Sequence, residues 1–166
     1  MNLKERINEN LKDALKSGFN DIASTLRFLS SVIKNKELEK RTKLSKESAN
    51  WRTVEELEKL SELNDDETIN VILGEIKKRK ESAVQYEKGG RADLAGKETK
   101  ELEIIKKYAP KEMPEEELRD IIRKKIGETG DITTKDFGKI MGQVMAQVHG
   151  RAQGEAVKKI IEEELK

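Results

Sequence analysis

The chain has 166 residues, which is enough for one domain of ordinary size or for two small helical subdomains joined by a connector. Its 34 basic and 33 acidic side chains give a formal net charge of +1, so no overall polycation drives nucleic-acid binding and any such site must be a local patch. The absence of cysteine excludes a disulfide framework and thiolate metal sites.

The composition indicates an all-helical protein. Two prolines leave long uninterrupted stretches, and Glu, Lys, Leu, Ile and Ala, which suit helices, dominate the sequence. No window approaches the ~18 consecutive apolar residues that a membrane span requires, and no apolar run follows the charges at the N-terminus. We therefore expect a cytoplasmic protein that does not associate with membranes.

The first half of the chain carries several helical stripes. A first helix is predicted over about residues 2–17, before a left-handed turn at Gly18, and a second helix over about 20–39. The first stripe consists of Leu3, Ile7, Leu11 and Leu15. From 40 to 63 the pattern is irregular, but the spacing of Trp51, Val54, Leu57 and Leu60 predicts a short extra helix.

The end of the N-terminal region is marked by capping residues, glycines and prolines. Asp65 and Asp66 are predicted to cap a long third helix that ends at Gly89 and Gly90, and a fourth helix covers about 91–108. Pro110 and Pro114 break any continuous helix and predict a linker over residues 110–114. This linker separates a predicted subdomain at 1–109, which includes the extra segment 42–64, from one at 115–166.

The last third of the sequence predicts three more helices. Their apolar stripes are Leu118, Ile121, Ile122 and Ile126, then Phe137, Ile140, Met141, Val144, Met145 and Val148, and finally Val157, Ile160, Ile161 and Leu165. Thr133 or Thr134 is predicted to cap the middle helix of the three. The predicted fold is all-α, with an N-terminal subdomain of about four helices and a C-terminal three-helix bundle.

Three patterns that could carry chemistry have simpler structural interpretations. Residues 90–98 lack the spacing and the magnesium-binding hydroxyl of a phosphate-binding loop. His149 is the only histidine. At a predicted helix end, a favourable interaction with the helix dipole is a simpler interpretation of this residue than catalysis or metal binding. The acidic runs at 115–117 and 162–164 are typical of a helix start and of solvated faces. We expect no catalytic side chains, no metal site and no cofactor.

Two groups of residues are candidate contacts for a nucleic acid. The densest basic run comprises Lys77, Lys78, Arg79 and Lys80, and it joins the cations at residues 34–43 into one patch if the second and third helices pack antiparallel. A solvated charged face is the simpler interpretation of this run.

The second group is built around two glycines. Gly138 and Gly142 lie four positions apart in a helix, where each glycine costs about 1 kcal/mol relative to alanine. Either another helix packs closely against them, which periodicity alone favours, or a bulky partner such as a phosphodiester backbone approaches the main chain. Lys135, Lys139, Gly150 and Arg151 adjoin the pair and complete a candidate anion-binding surface.

These segments together resemble the GatB/YqeY family, whose YqeY members are similar to the tail of the GatB subunit of a tRNA-dependent amidotransferase. The resemblance rests on residues 25–39, 75–82, 90–98 and 108–110, and most specifically on 135–145 with 150–152, so it covers nearly the whole chain. It departs from the family pattern in the length of segment 42–64 and in Gln153, where an aspartate is common.

The resemblance implies a function in tRNA handling. In GatB the tail contacts the outer corner of tRNA while kinase and transamidase chemistry takes place elsewhere, which makes Lys135, Gly138, Lys139, Gly142, Gly150 and Arg151 the RNA-facing candidates. The implied role is a tRNA-binding module that assists glutamine-dependent amidotransfer, a carbon-nitrogen ligase reaction, or another tRNA-handling enzyme. The alternative is a protein adaptor that presents Trp51, Leu57 and Leu60 to a partner helix.

Overall fold

A computed structural model describes residues 1–47, 53–129, 136–148 and 150–165, and these residues contain eight helices and no strand. The helices are α1 Leu3–Lys16, α2 Asn20–Glu47, α3 Val54–Ser61, α4 Asp65–Lys88, α5 Ala92–Lys106, α6 Glu115–Thr129, α7 Phe137–Val148 and α8 Gly154–Glu164. The all-α prediction is confirmed. None of these eight helices is long and apolar enough to cross a membrane.

The chain divides into two compact units, Met1–Ala109 and Pro110–Lys166, which we call unit 1 and unit 2. Unit 1 contains α1 to α5, and unit 2 contains α6 to α8. The short helix predicted in the irregular region is α3. Trp51, Thr133, Thr134, Lys135 and His149, which the sequence singled out, lie outside the described residues.

Three helices of unit 1 begin with reciprocal capping boxes. The side chain of Asn64 accepts a hydrogen bond from the Glu67 backbone at 2.8 Å, and the Glu67 carboxylate accepts one from the Asn64 backbone at 3.0 Å. Asn2 and Thr53 do the same for α1 and α3. The predicted cap of α4 at Asp65 or Asp66 is therefore wrong by one or two positions, and Asp65 instead accepts a hydrogen bond from the backbone of Leu3 at 2.9 Å.

One hydrophobic cluster forms the core of unit 1. Its buried members are Ile7, Leu26, Leu29, Ile33, Leu63, Ile72, Ile76, Leu102, Ile105 and Tyr108. Leu15 was expected in the stripe of α1 but is 51% exposed, because Ala14 occupies the buried position at the end of that helix. The glycine predicted to end α1 does adopt the left-handed conformation, with φ +73° at Gly18.

Helix α2 extends to Glu47, well beyond its predicted end at residue 39, and ion pairs stabilise the additional turns. Lys40 Nζ donates to both carboxylate oxygens of Glu67, at 2.8 and 2.9 Å, and Arg41 pairs with Glu58 of α3 at 2.9 Å. The second half of α2 is thereby fixed to α3 and to the first turn of α4. Since Lys40 is near the end of α2 and Glu67 near the start of α4, the two helices run antiparallel.

Acidification should weaken unit 1 through Glu67. The hydrogen bond from Lys40, followed by that from the Asn64 backbone, holds the pKa of Glu67 below its usual value of 4.5. Because folding lowers this pKa, the ionised carboxylate stabilises the fold above pH 4.5, and that contribution is lost as the pH falls through the folded-state pKa. In thermal melts followed by circular dichroism, Glu67→Gln should melt below the wild type at neutral pH and the gap should close in acid. A gap that is constant with pH would contradict this.

Unit 2 is a three-helix arrangement around its own core. The buried residues are Leu118, Ile122, Ile140, Val144, Val148, Val157, Ile160 and Ile161, so each helix contributes through its predicted apolar stripe. Arg119 of α6 pairs with Glu163 at 2.6 Å and with Glu164 at 3.2 Å, which links α6 to α8 at the surface. Gln153 precedes α8 without a side-chain capping bond, as its departure from aspartate leads one to expect.

Candidate nucleic-acid interface

The outer face of α7 carries few charges for this protein. Ile140, Val144 and Val148 are buried on one side of the helix. Six residues are exposed: Gly138, Lys139, Gly142, Gln143, Ala146 and Gln147. We call these six residues the α7 outer face. Lys139 is the only charged residue among them, although 40% of the whole chain is charged. A face of this composition offers backbone, amide groups and one cation to its surroundings.

The two glycines of the α7 outer face are not used for packing. Among residues 1–47, 53–129, 136–148 and 150–165, no side chain and no neighbouring helix lies within 4 Å of the position that a β-carbon would occupy at Gly138 or at Gly142. The expectation that another helix packs closely against them is therefore wrong. The reason is geometric, since the apolar stripe that meets α6 and α8 lies on the opposite side of α7.

Open space alone does not single out these positions. Gly74, Gly96 and Gly127 are also helical glycines with nothing within 4 Å of an added β-carbon. What distinguishes Gly138 and Gly142 is that they lie one helical turn apart and are followed at the same spacing by Ala146. The three small residues form a continuous strip along which a partner can approach the helix backbone.

Gly150 and Arg151 lie just after α7, and both have local structural roles. Gly150 has φ +74°, a left-handed conformation that explains the glycine without any ligand. The Arg151 guanidinium donates to both carboxylate oxygens of Glu117 on α6, at 3.0 and 3.1 Å, while its side chain stays 40% exposed. A phosphate would have to compete with Glu117 for this arginine.

The charge of unit 2 as a whole does not favour a polyanion. Residues 110–166 contain eleven basic and twelve acidic side chains. Lys139 lies on the α7 outer face, Arg151 follows α7 in the chain but pairs with Glu117 of α6, and Lys135 lies outside the described residues. Any RNA affinity of this surface must therefore come from a small number of local contacts.

The basic run on α4 does not form one exposed cationic group. Arg79 was expected to be a surface contact, but its side chain is 9% exposed and donates to Glu75 at 3.3 Å and to Glu101 at 2.8 Å. Lys77 and Lys78 are exposed and paired with carboxylates, and Lys80 is partly buried. Arg79 is thus a structural residue, since its position on α4 continues the buried stripe of Ile72 and Ile76.

The cations at the end of α2 do not extend that run into a basic patch. The antiparallel packing that the patch requires is present, but Lys36 pairs with Glu39, Lys40 with Glu67 and Arg41 with Glu58. Three of the five cations at residues 34–43 are thus matched by carboxylates, whereas Lys34 and Lys43 are exposed without an ion pair among the described residues, which leaves a mixed surface. The residues proposed for an adaptor surface differ among themselves, because Leu60 is 49% exposed, Leu57 is partly buried, and Trp51 lies outside the described residues.

Comparison with known proteins places the chain in a family. A family model described as Yqey-like protein matches residues 48–165, which is more than half of the chain. The chain belongs to the YqeY-like family. The matched span contains α3 to α8 and hence the whole α7 outer face, whereas the resembling segment at residues 25–39 lies before it.

One relative of this YqeY-like chain is an uncharacterized protein of Schizosaccharomyces pombe. The two are 31% identical over 109 residues, which covers 66% of this chain and 73% of the relative. Neither description names a ligand or a reaction. Among the described residues, no group of three or more histidine, aspartate or glutamate side chains is arranged to hold a metal ion.

Proposed function

We propose that this protein binds tRNA through the α7 outer face and serves as an accessory to glutamine-dependent tRNA amidotransfer, without a catalytic site of its own. The observation that supports the proposal is the open strip at Gly138 and Gly142, where two adjacent turns of helix are exposed and nothing in the described part of the chain lies within 4 Å of an added β-carbon. Each glycine lowers helix stability by about 1 kcal/mol, and no internal contact in the described residues accounts for that loss.

The strip suits a ribose-phosphate backbone. Without β-carbons, the helix surface lets a phosphate or a ribose approach the main chain more closely than any other residue would permit. Lys139 supplies a positive charge next to the strip, and the exposed amides of Gln143 and Gln147 can donate to phosphate oxygens and exchange hydrogen bonds with 2′-hydroxyls. Such contacts recognise the shape of a folded RNA and not its sequence.

The preference for tRNA over other RNA comes from the family resemblance. Residues 135–145 and 150–152 resemble the segment of the GatB tail that contacts the outer corner of tRNA. The resemblance implies that the chemistry of amidotransfer belongs to other subunits in that assembly. A partner enzyme would supply the catalysis, and this chain would supply contacts to the tRNA body.

Removing the two cations of the surface should weaken tRNA binding and its salt dependence. For Lys139→Ala with Arg151→Ala we expect affinity at low salt to fall about tenfold, which corresponds to roughly 1.4 kcal/mol. The slope of log affinity against log salt should shrink by about 1.4–1.8, since each neutralised phosphate contributes about 0.7–0.9. Fluorescence anisotropy with labelled bulk tRNA at two ionic strengths measures both quantities.

Two further variants make this experiment specific. Lys158→Ala with Lys159→Ala removes the same charge from exposed positions of α8 and should change affinity less than about twofold. Glu117→Gln should act in the opposite direction and raise affinity about two- to threefold, because it frees Arg151 from its carboxylate partner. Equal tRNA retention by the wild type and the Lys139 and Arg151 double variant would refute this surface.

A protein adaptor remains the second candidate, and one observation favours it. Val54 and Leu60 of α3 are exposed apolar side chains in the first part of the family-matched region. An adaptor whose partner binds α3 should lose that partner in a pull-down after deletion of residues 44–62, while it keeps its affinity for tRNA. Retention of the partner after this deletion would rule out an adaptor role for α3.

A further inference from the structure

A polar groove of about 560 Å³ lies in unit 1, between α2, α4 and α5. Phe28, Val32 and Lys36 line it from α2 at successive turns, Lys78 and Ser82 line it from α4, and Glu98 lines it from α5. Its volume is within the range of roughly 300–1,000 Å³ typical of small-molecule sites. None of these residues belongs to the α7 outer face, so the groove is independent of the proposed tRNA contact.

The groove contains a buried ion pair that stability alone explains poorly. Glu75 and Arg79 also line it, and they are the only two buried charged residues among the described residues, with side chains that are 4% and 9% exposed. Arg79 Nε is buried without a hydrogen-bond partner. Buried ion pairs are often no more stable than apolar residues of the same volume, and an unsatisfied buried donor is unfavourable. Together these features indicate that the polar side chains lining the groove have a role in binding a ligand there, and not only in stabilising the fold.

The charges of the groove leave one carboxylate without a partner. Its cations are already matched, since Lys36 pairs with Glu39, and Lys78 and Arg79 both pair with Glu75. Glu98 is partly buried, yet its carboxylate makes no hydrogen bond and no ion pair within the described part of the chain. Every other buried or partly buried carboxylate in that part has such an interaction: Glu37, Glu67, Glu75, Glu101, Asp136 and Glu164.

We propose that this groove binds a cationic group, a primary ammonium or a guanidinium, with Glu98 as its counter-ion. Phe28 supplies an aromatic surface that is 45% exposed, and the Arg79 guanidinium already lies 4.8 Å from the centre of its ring. The Ser82 hydroxyl is partly buried and makes no hydrogen bond among the described residues, so it is free to accept one from the bound cation. Either a free polyamine or a basic side chain of a polypeptide carries this chemistry.

Titration of the full chain with two cationic probes tests the proposal. One probe is agmatine, which has a guanidinium and an ammonium, and the other is a capped Gly-Arg-Gly peptide. In ¹⁵N NMR spectra we expect both to shift amides around Glu98 and Ser82, with Glu98→Gln weakening binding about tenfold. Glu103→Gln is the matched control, because Glu103 lies on the same helix, is exposed and does not line the groove.

The outcomes separate the sources of the cation and decide the proposal. Stronger binding of agmatine supports a free amine, stronger binding of the peptide supports a polypeptide side chain, and equal binding supports recognition of the group itself. The proposal is overturned if neither probe shifts groove amides up to about 10 mM, a range that covers a ligand held by a single ion pair. It is also overturned if Glu98→Gln, shown to be folded by circular dichroism, binds as tightly as the wild type.

Discussion

Replacing Arg79 with methionine should destabilise unit 1 by about 3–5 kcal/mol, the usual effect of removing one member of a buried ion pair. The variant leaves Glu101 without a cation and leaves buried Glu75 with Lys78 alone, whose side chain is 71% exposed. It also removes the guanidinium that lies over Phe28. Urea denaturation followed by circular dichroism measures the change as a lower transition midpoint.

The cause of this loss can be separated from loss of packing volume. Combining Arg79→Met with Glu75→Leu should recover much of the stability, because it removes an uncompensated buried charge and replaces both members with apolar groups. Lys77→Met is the control, since Lys77 is adjacent in sequence but 69% exposed, and it should change stability by less than about 0.5 kcal/mol. If the double variant were less stable than Arg79→Met alone, the ion-pair explanation would fail.

Replacing Gly138 and Gly142 together with alanine should have opposite effects on stability and on tRNA binding. Unit 2 should become more stable by about 1–2 kcal/mol, because alanine is the better helix former and the added β-carbons have no described atom within 4 Å. Affinity for tRNA should fall, because the methyl groups keep the ribose-phosphate backbone away from the helix. Thermal melts and anisotropy titrations on the same preparations provide the two readouts.

Gly127 of α6 supplies the matched control for this pair. It is an exposed helical glycine of the same unit with nothing within 4 Å of an added β-carbon. Gly127→Ala should therefore give a comparable gain in stability per residue and leave tRNA binding unchanged. Unaltered tRNA affinity in the Gly138 and Gly142 double variant would show that the strip is not approached by the ligand, whatever happens to stability.

The helices of this protein could be predicted because their core residues recur with helical period. Ile140, Val144 and Val148 of α7 and Val157, Ile160 and Ile161 of α8 carry the same pattern in the sequence that they show in the core. The end of α2 could not be predicted in this way. It depends on Lys40 and Arg41, whose partners Glu67 and Glu58 lie far along the chain, and no local pattern indicates such pairs.

Arg79 shows how a charge run can mislead. Four consecutive cations suggest a solvated surface, but the buried face of α4 is made of Thr68, Ile72, Glu75, Ile76 and Arg79. A signal was present in the sequence, because Glu75 and Arg79 are oppositely charged, lie four residues apart and continue an apolar stripe. Two oppositely charged residues that lie four positions apart and continue an apolar stripe can therefore indicate a buried ion pair and not a solvated surface.

The candidate RNA surface could be located from the sequence but not understood from it. The spacing of Gly138 and Gly142 indicates the strip. Whether another helix covers it depends on how α6 and α8 pack, and the periodicity of α7 does not predict that packing. The pairing of Arg151 with Glu117 joins residues on different helices, and it changes the expected availability of the arginine. The groove at Glu98 was missed altogether, because an unpartnered carboxylate is visible only once its neighbours are known.

The two hydrophobic cores have no residue in common, since one is built from α1, α2, α4 and α5 together with Leu63 and Tyr108, and the other from α6 to α8. A mutation that repacks one core leaves the internal contacts of the other as they were. Gene fusion could therefore attach the last three helices to an unrelated enzyme without redesign of their interior. Lineages could also remodel the first five helices while inheriting the rest intact.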